Sequence, residues 1–404
     1  MISINQDWTS FEGIDQDTDH ARLLRTVLKS ANWNHLCSKA IEIRRKLDPQ
    51  THETITCSAE TSKFTSGQCN LVIVVRFSDS IEWLARIMLP LECEEDVSSL
   101  SLLSEISTMD LIRTKSSVPV PRVFGYDTTT NEIGYRYILM EAIPGKTLDM
   151  RIALSVPNEH KRSFAAQLAG YIYELSTITF NKIGRVISPD LPQADGQFDL
   201  HAFPIDGSDI APLNTSLEYF YLLRKAQTKS ILKAHPNDSE WETAAWLLEK
   251  SLTSLVVEEH LYGPFPICHL DFHYNNIIVD DSFRIIGIID WSHSQAVPIE
   301  RFAMIPEFIP PPAAPESTKR AITGFRDLFI AELENIEIQK SKTSSASKFD
   351  LSRLFSSPRA EAVCRCTYSY PWRAIFDAKL TLPLFYGKNA KLEDFRAFFT
   401  DRRV

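Results

Sequence analysis

The sequence predicts an α+β protein of two lobes, a β-rich N-terminal lobe and a mainly helical C-terminal lobe, with a cleft between them. Three observations carry this expectation. Apolar, β-branched runs such as NLVIVVRF (70–77) crowd into the first part of the chain. From about residue 150 onward, apolar residues recur every three or four positions, the period of helices that bury one face. The 404 residues exceed what one small core usually holds.

The elements follow in chain order. Residues 20–46 read as a helix, with Leu24, Leu28, Leu36 and Ala40 at helical spacing. NLVIVVRF and EWLARIM (82–88) read as strands joined by a turn at FSDS. VSSLSLLSEISTMDLIR (97–113) places Leu100, Leu103 and Ile106 on one helix face. VPVPRVFGYD (118–127) is extended, because a residue before proline is driven out of the helical region. YRYILMEA (135–142) is a further strand. EHKRSFAAQLAGYIYELSTI (159–178) carries Phe164, Leu168, Ile172 and Leu175 as a stripe. Ser239 and Glu242 read as a capping box ahead of Ala245, Leu248 and Leu252. Residues 183–215, rich in aspartate, read as a long loop, and 339–348 as a solvated stretch. The aromatics of YSYPWRAIFDAKLTLPLFYG are expected to pack that segment onto the helical lobe. These elements divide the chain into a helical extension (1–54), an N-lobe (55–142) and a helical C-lobe with a C-terminal extension (143–404).

Composition excludes several classes. A net charge of −9 and a pI near 5.6 argue against a general nucleic-acid binder. No apolar run approaches the roughly 18 residues of a membrane span. The opening MISINQDWTSFEGIDQDTDH lacks a basic start followed by an apolar core, so no secretory signal is read. The seven cysteines are scattered, and no second cluster joins Cys364 and Cys366 to make a zinc site. Reduced thiols in the cytoplasm are the expectation.

The chemistry concentrates in HLDFHYNNIIVDDSFRIIGIIDW (269–291). IIVDDSFRIIGIID reads as two short apolar strands around a polar turn. Such a hairpin brings Asn276, before the first strand, beside Asp290, at the end of the second. Asp271 lies in the loop leading in. Two carboxylates and an amide oxygen suit Mg²⁺, which takes the rest of its shell from water and phosphates. The spacing is His-x-Asp, four residues, Asn, then a later metal-binding Asp. In that pattern Asp271 accepts the proton of an attacking hydroxyl. Asn276 and Asp290 hold Mg²⁺ against the phosphates of ATP, and packed strands keep them in place. His269 reads as a structural residue and Trp291 as packing. His273 either orients Asp271 or fills a polar pocket, and His293 reads as a solvated loop residue.

With these residues the chain resembles the aminoglycoside phosphotransferase and choline kinase-like group of small-molecule kinases. Their loop usually reads HGDLHPGN and their metal Asp sits in IDW; here the stretches are HLDFHYNN and IIDW. The likeness runs from about residue 55 to 310, and DWSHSQAVPIERFAMIP most resembles divergent fungal members. It implies a protein-kinase-like fold, ATP and Mg²⁺ as cofactors, and a small-molecule hydroxyl acceptor, with no nucleic acid or membrane as partner. By the same resemblance, Arg86 matches the basic strand residue that binds phosphates, and Glu105 its helix partner. FTSGQCN (64–70) covers the phosphates, with Ser66, Gly67 and Asn70 at its tip. In ILMEAIPG (138–145), the backbone of Glu141 to Ile143 binds adenine. Asp271 and His273 take the catalytic positions.

The chain departs from the pattern at Leu270, at Tyr274-Asn275 and in having arginine at position 86. Asn275 tolerates the left-handed backbone that the missing glycine would supply. Two other readings stay open. One is a pseudokinase that binds nucleotide or a partner without turnover. The other is a protein kinase, recommended only by Pro306-Glu307 and lacking a DFG stretch. For the acceptor, the residues point no further than a hydroxylated metabolite, amino alcohol or sugar.

Overall fold

A computed structural model of the chain describes residues 8–90, 95–129, 131–188, 198–341, 347–367 and 372–400. The N-lobe is built on five strands: β1 (Cys57–Ser66), β2 (Asn70–Phe77), β3 (Glu82–Met88), β4 (Val123–Asp127) and β5 (Tyr137–Glu141). Their spatial order is β1-β2-β3-β5-β4, and every pairing is antiparallel.

Alternation along these strands separates two faces. Leu71, Ile73, Val75 and Phe77 of β2 share one face with Trp83, Ala85 and Ile87 of β3. That face packs against α1 (Asp19–Ser30) and α2 (Trp33–Leu47) through Leu24, Val27, Leu36 and Ala40. Ile138 on the other face packs with Leu102 and Ile106 of α3 (Glu95–Lys115). Arg86 stands directly opposite Ile138 in the β3–β5 ladder and so shares this inner face.

Two helix expectations need correction. The single helix over 20–46 breaks at Ala31–Asn32, where Asn32 Oδ1 accepts from the His35 N–H (3.1 Å) and starts a new helix. On α3, Leu100 is 41% exposed, while the adjoining residues Leu102 and Glu105 are buried. The helix is turned so that Leu102, Glu105 and Ile106, and not Leu100, meet the sheet.

The C-lobe is the larger core. It begins with β6 (Lys146–Thr147), α4 (Ile152–Ser155) and α5 (Asn158–Thr177). Phe164, Leu168, Ile172 and Leu175 are all buried on α5, as their spacing predicts. Then come β7 (Thr179–Phe180), β8 (Arg185–Ile187), β9 (Asp199–His201), β10 (Phe203–Ile205) and β11 (Ser208–Ile210). The expected long loop therefore carries two small antiparallel pairs, β8–β9 and β10–β11. Its Asp190 and Asp195 lie outside the described residues. Next are α6 (Ser216–Ala234) and α7 (Ser239–Lys250). The cap of α7 is Asp238 rather than Ser239, because its carboxylate reaches the Glu240 N–H (3.0 Å) and the longer Trp241 contact (3.5 Å). The reciprocal capping box sits on α6, between Thr215 and Glu218.

The lobe is completed by β12 (Phe265–Cys268), β13 (Ile277–Val279), β14 (Ile285–Ile288), β15 (Gln295–Ala296), α8 (Ile299–Phe302), α9 (Glu316–Lys340), α10 (Leu351–Ser356), α11 (Arg359–Thr367), α12 (Ala374–Phe385) and α13 (Leu392–Thr400). Helix α9 lies along α5, and α12 packs on α7, which seats the aromatic C-terminal segment on the lobe. Residues 342–346 and 368–371, parts of two segments read above, lie outside the described residues. No helix among the described residues is long and apolar enough to cross a membrane.

Candidate active site

The hairpin expected from IIVDDSFRIIGIID forms as β13 and β14, with Ile277 opposite Ile288. The Ile289 N–H donates to the Asn276 carbonyl (3.0 Å), so Asn276 stands across from Ile289 and one residue from Asp290. Aspartate closes the hairpin's far end: Asp280 Oδ1 accepts from the Ser282 and Arg284 N–H groups, each at 2.9 Å. Main-chain pairing thus fixes two residues fourteen apart in sequence at one mouth.

Asn276 is buried and opens no further hydrogen bonding to chance. Its Nδ2 donates to the Asp271 carbonyl (2.9 Å), which leaves Oδ1 as the free end of the amide. Asp290 has φ of +63°, a left-handed conformation that aspartate tolerates better than most residues. Asn275 does not take up that conformation, contrary to expectation. Tyr274–Asn276 forms a 3-10 turn instead, and His273 Nδ1 accepts from the Asn275 N–H (3.2 Å).

Burial pushes the Asp290 carboxyl up. The Ser292 hydroxyl, donating at 2.7 Å, together with Arg86, His269 and His293, more than offsets this and holds it below the ordinary aspartate value. His293 itself is exposed, as the sequence suggested. Burial holds the His269 imidazole below its usual value, so the ring is neutral and donates from Nε2 to the Ile289 carbonyl (2.8 Å). Its ring stacks obliquely on Trp291, whose Nε1 donates to the Ile288 carbonyl (2.9 Å). Both residues hold the loop and neither faces the mouth with a reactive atom.

Asp271 is half exposed and faces the open side of the loop. His273 Nε2 lies 3.4 Å from its Oδ2. Its Nε2 also lies 3.3 Å from Asn276 Nδ2, so the ring stands between the two residues.

Across the cleft, Arg86 Nη1 donates to Glu105 Oε1 (2.6 Å), and Nη2 pairs with Oε2. Both side chains are nearly inaccessible, at 8% and 2% exposure, and Arg86 Nε has no partner. Burial alone would lower the guanidinium's proton affinity; Glu105, with help from Asp290 and Cys69, more than restores it. Arg86 and Asp290 each favour the charged form of the other.

The turn after β1 holds the other phosphate candidates. Ser66 closes the β1–β2 ladder opposite Leu71, and its hydroxyl lies 3.3 Å from His20 Nε2 of α1. The Gly67 N–H is spent on the Asn70 carbonyl (3.1 Å), so it is not open to a ligand, and Asn70 Oδ1 is buried without a partner. In the linker, the Glu141 N–H is likewise committed, to the Arg122 carbonyl (2.8 Å), and its carboxylate accepts from the Arg122 N–H (3.0 Å). A base at this linker cannot use that N–H. Ile143 is buried, and a side chain at Gly287 would run into it at 2.8 Å. A cavity of about 490 Å³ lies along the linker, lined by Arg113, Ser117, Glu141 and Ile143 among others. None of Arg86, Asp271, Asn276 and Asp290 lines it, so it is a recess on the linker's flank rather than the place of chemistry.

The donor set fits a hard divalent cation. Asn276 and Asp290 offer one amide oxygen and one ionised carboxylate, and Mg²⁺ commonly takes only one or two protein ligands of this kind. Among the described residues no group of three or more His, Cys, Asp or Glu side chains could hold a metal, so a softer, fully protein-ligated metal has no cage here.

The profile of the phosphotransferase enzyme family, the group that takes in aminoglycoside phosphotransferases, matches residues 60–316. A subtelomeric hrmA-associated cluster protein of Aspergillus fumigatus is 34% identical over 111 residues, 27% of this chain and 21% of that one. Clavilactone A biosynthesis cluster protein Y of Ampulloclitocybe clavipes is 24% identical over 282 residues, covering 63% of this chain and 65% of that one. The chain thus spans about a fifth of the first relative's length and just under two thirds of the second's. A crystal structure from Ralstonia eutropha, assigned as an aminoglycoside phosphotransferase, superposes with a TM-score of 0.50 at 14% identity, covering 89% of this chain and 94% of that one. At that identity the likeness speaks for the two-lobed, protein-kinase-like fold.

Proposed function

We propose, on the premise that the chain belongs to the phosphotransferase enzyme family, that it transfers the γ-phosphate of ATP, with Mg²⁺, to a hydroxyl of a small molecule. What supports this most is the placement of Asn276 next to Asp290 on one hairpin, with Asp271 tied to Asn276 through its own carbonyl and Arg86 facing Asp290. A phosphoryl transfer site needs these groups held in place more than it needs a covalent partner.

In this reading Asp271 takes the acceptor's proton, and His273 orients the carboxylate. Asn276 Oδ1 and Asp290 are the residues that hold Mg²⁺, which when bound neutralises charge on the phosphates. Arg86 contributes fixed positive charge on the opposite wall, kept in register by Glu105. Ser66 offers a hydroxyl at the covering turn, and the linker around Ile143 seats the base. The acceptor belongs to the broad class of hydroxylated metabolites, amino alcohols and sugars.

The test is Mg²⁺-dependent ATP consumption by the purified protein against a panel of amino alcohols, sugars and aminoglycosides, with Asp271→Ala as control. Turnover above that control on at least one acceptor supports the reading. Absence of any Mg-ATP binding overturns it, and binding without turnover on any acceptor points to a nucleotide-binding pseudokinase.

A further inference from the structure

The loop around Asp271 lacks the small and rigid residues its relatives use, with Leu270 before the aspartate and Tyr274-Asn275 before Asn276. Its shape must then be set by something else. Two buried charged side chains from the segment after Asp290 reach it. Arg301 on α8 is 2% exposed; its Nη2 donates to the Leu270 carbonyl and its Nη1 to the Met304 carbonyl, each at 3.1 Å. Glu307 is 5% exposed, and its Oε2 accepts from the Ile152 N–H (2.9 Å). The Tyr274 N–H lies close enough to the same carboxyl to favour its ionised form, against the upward push of burial.

These contacts have a common logic. Tyr274 is the first residue of the 3-10 turn that carries Asn276, and Ile152 is the first residue of α4. The leading N–H groups of such turns have no partner within the turn. One carboxyl satisfies the Ile152 N–H and lies beside that of Tyr274, so it links the loop to the segment that follows the linker. Arg151 braces the arrangement from the other side, donating through Nη1 to the carbonyls of Pro306 (3.0 Å) and Ile309 (3.3 Å). Arg301 grips the loop one residue before Asp271, and Glu307 lies beside it two residues before Asn276.

We propose that Arg301 and Glu307 are positioning residues that set the geometry of the catalytic loop, supplying through buried side chains the constraint that glycine and proline supply in related loops. The effect on turnover rests on the phosphotransferase reading above; the effect on loop geometry does not. Burying an acid and a base for packing alone would predict a loss of global stability and nothing specific to residues 269–276.

The experiment compares Glu307→Gln, Glu307→Ala and Arg301→Met in the full chain by hydrogen exchange, resolved to peptides covering 269–276 and 152–155. A melting curve for each variant checks that it is folded. Exchange of the 269–276 peptide should rise at least about tenfold in Glu307→Ala, by less in Glu307→Gln, whose amide oxygen still accepts, and in Arg301→Met. Peptides from the N-lobe sheet should not change. With an active wild type, kcat should fall by up to about 100-fold while the KM for nucleotide moves less than about threefold. Unchanged exchange in 269–276 overturns the proposal whether or not the protein turns over. A loosened loop with unchanged kcat in an active enzyme also overturns it. If the wild type consumes no nucleotide, the phosphotransferase reading falls and the exchange result alone decides. Should the alanine variant fail to fold, Glu307→Gln carries the comparison.

Discussion

Replacing Glu105 by leucine strands the Arg86 guanidinium in a wall built to hold it neutralised. Both groups are buried, joined by two parallel hydrogen bonds and set on rigid elements, β3 and α3. At an effective dielectric of about 20, opposite charges about 4 Å apart attract by about 4 kcal/mol. Removing one partner of such a pair typically costs about 3–5 kcal/mol, because the survivor stays buried and unpaired. Glu105→Leu and Arg86→Met should each destabilise on that scale. The double variant Arg86→Met/Glu105→Leu removes both desolvated charges at once. It should be far less destabilised than the sum of the singles, and can match or exceed the wild type. Its nucleotide affinity should nonetheless collapse, since the fixed cation opposite Asp290 is gone. Urea unfolding of the four proteins gives the coupling energy, and calorimetric titration with Mg-ATP gives the affinity. Additive single effects would show that the pair does not act as a unit. A stable double variant that binds Mg-ATP like the wild type would refute Arg86 as the phosphate wall.

Three further outcomes follow from the geometry. Asp271→Asn should lower kcat by about 10²–10⁴-fold, the usual worth of a general base, while Mg-ATP affinity by calorimetry stays within about twofold. Gly145→Ala should destabilise by about 1–3 kcal/mol in urea titration, because its Cβ would sit 2.7 Å from the Val279 carbonyl and 2.6 Å from Ile278. Glu300, with Oε1 accepting from the Val257 N–H (2.5 Å), is pushed up to about 7 by burial from an ordinary value of 4.5. A raised carboxyl stabilises the fold fully below pH 4.5, and that contribution is lost as pH climbs to about 7, a change of about 3 kcal/mol. Glu300→Gln mimics the protonated acid, so it should match the wild type near pH 4.5 and exceed it in urea midpoint at pH 8. An unaltered pH profile in that variant would remove Glu300 from the account.

Much of the N-lobe was legible because β-strands announce themselves locally. The alternation of NLVIVVRF and EWLARIM is a one-dimensional signal, and the ladder pairs those runs in the expected order. The hairpin was legible for a different reason: Asn276 and Asp290 flank its two short strands, so their spacing in sequence nearly specifies their spacing in space. Helix boundaries were less readable. Asn32 caps a second helix in the middle of the stretch that periodicity drew as one, and Asp238 caps α7 one residue before the residue that spacing chose. Leu100 fits the helical stripe by spacing, yet the face that meets the sheet is decided by which side Glu105 must occupy.

What the sequence by itself determined is the two-lobed α+β class, the hairpin, and the identity of the oxygen-bearing residues at its mouth, since each depends on contacts between near neighbours in the chain. Only the tertiary structure decided which backbone groups were already spent, as at Gly67 and Glu141, and that His273 stands between Asp271 and Asn276. It alone brought Arg301, thirty-one residues downstream, onto the Leu270 carbonyl, and tied Glu307 to Ile152 across 155 residues. The physical reason is that hydrogen-bond commitments and burial are properties of packed neighbours, and neighbours so distant along the chain leave no periodicity to read.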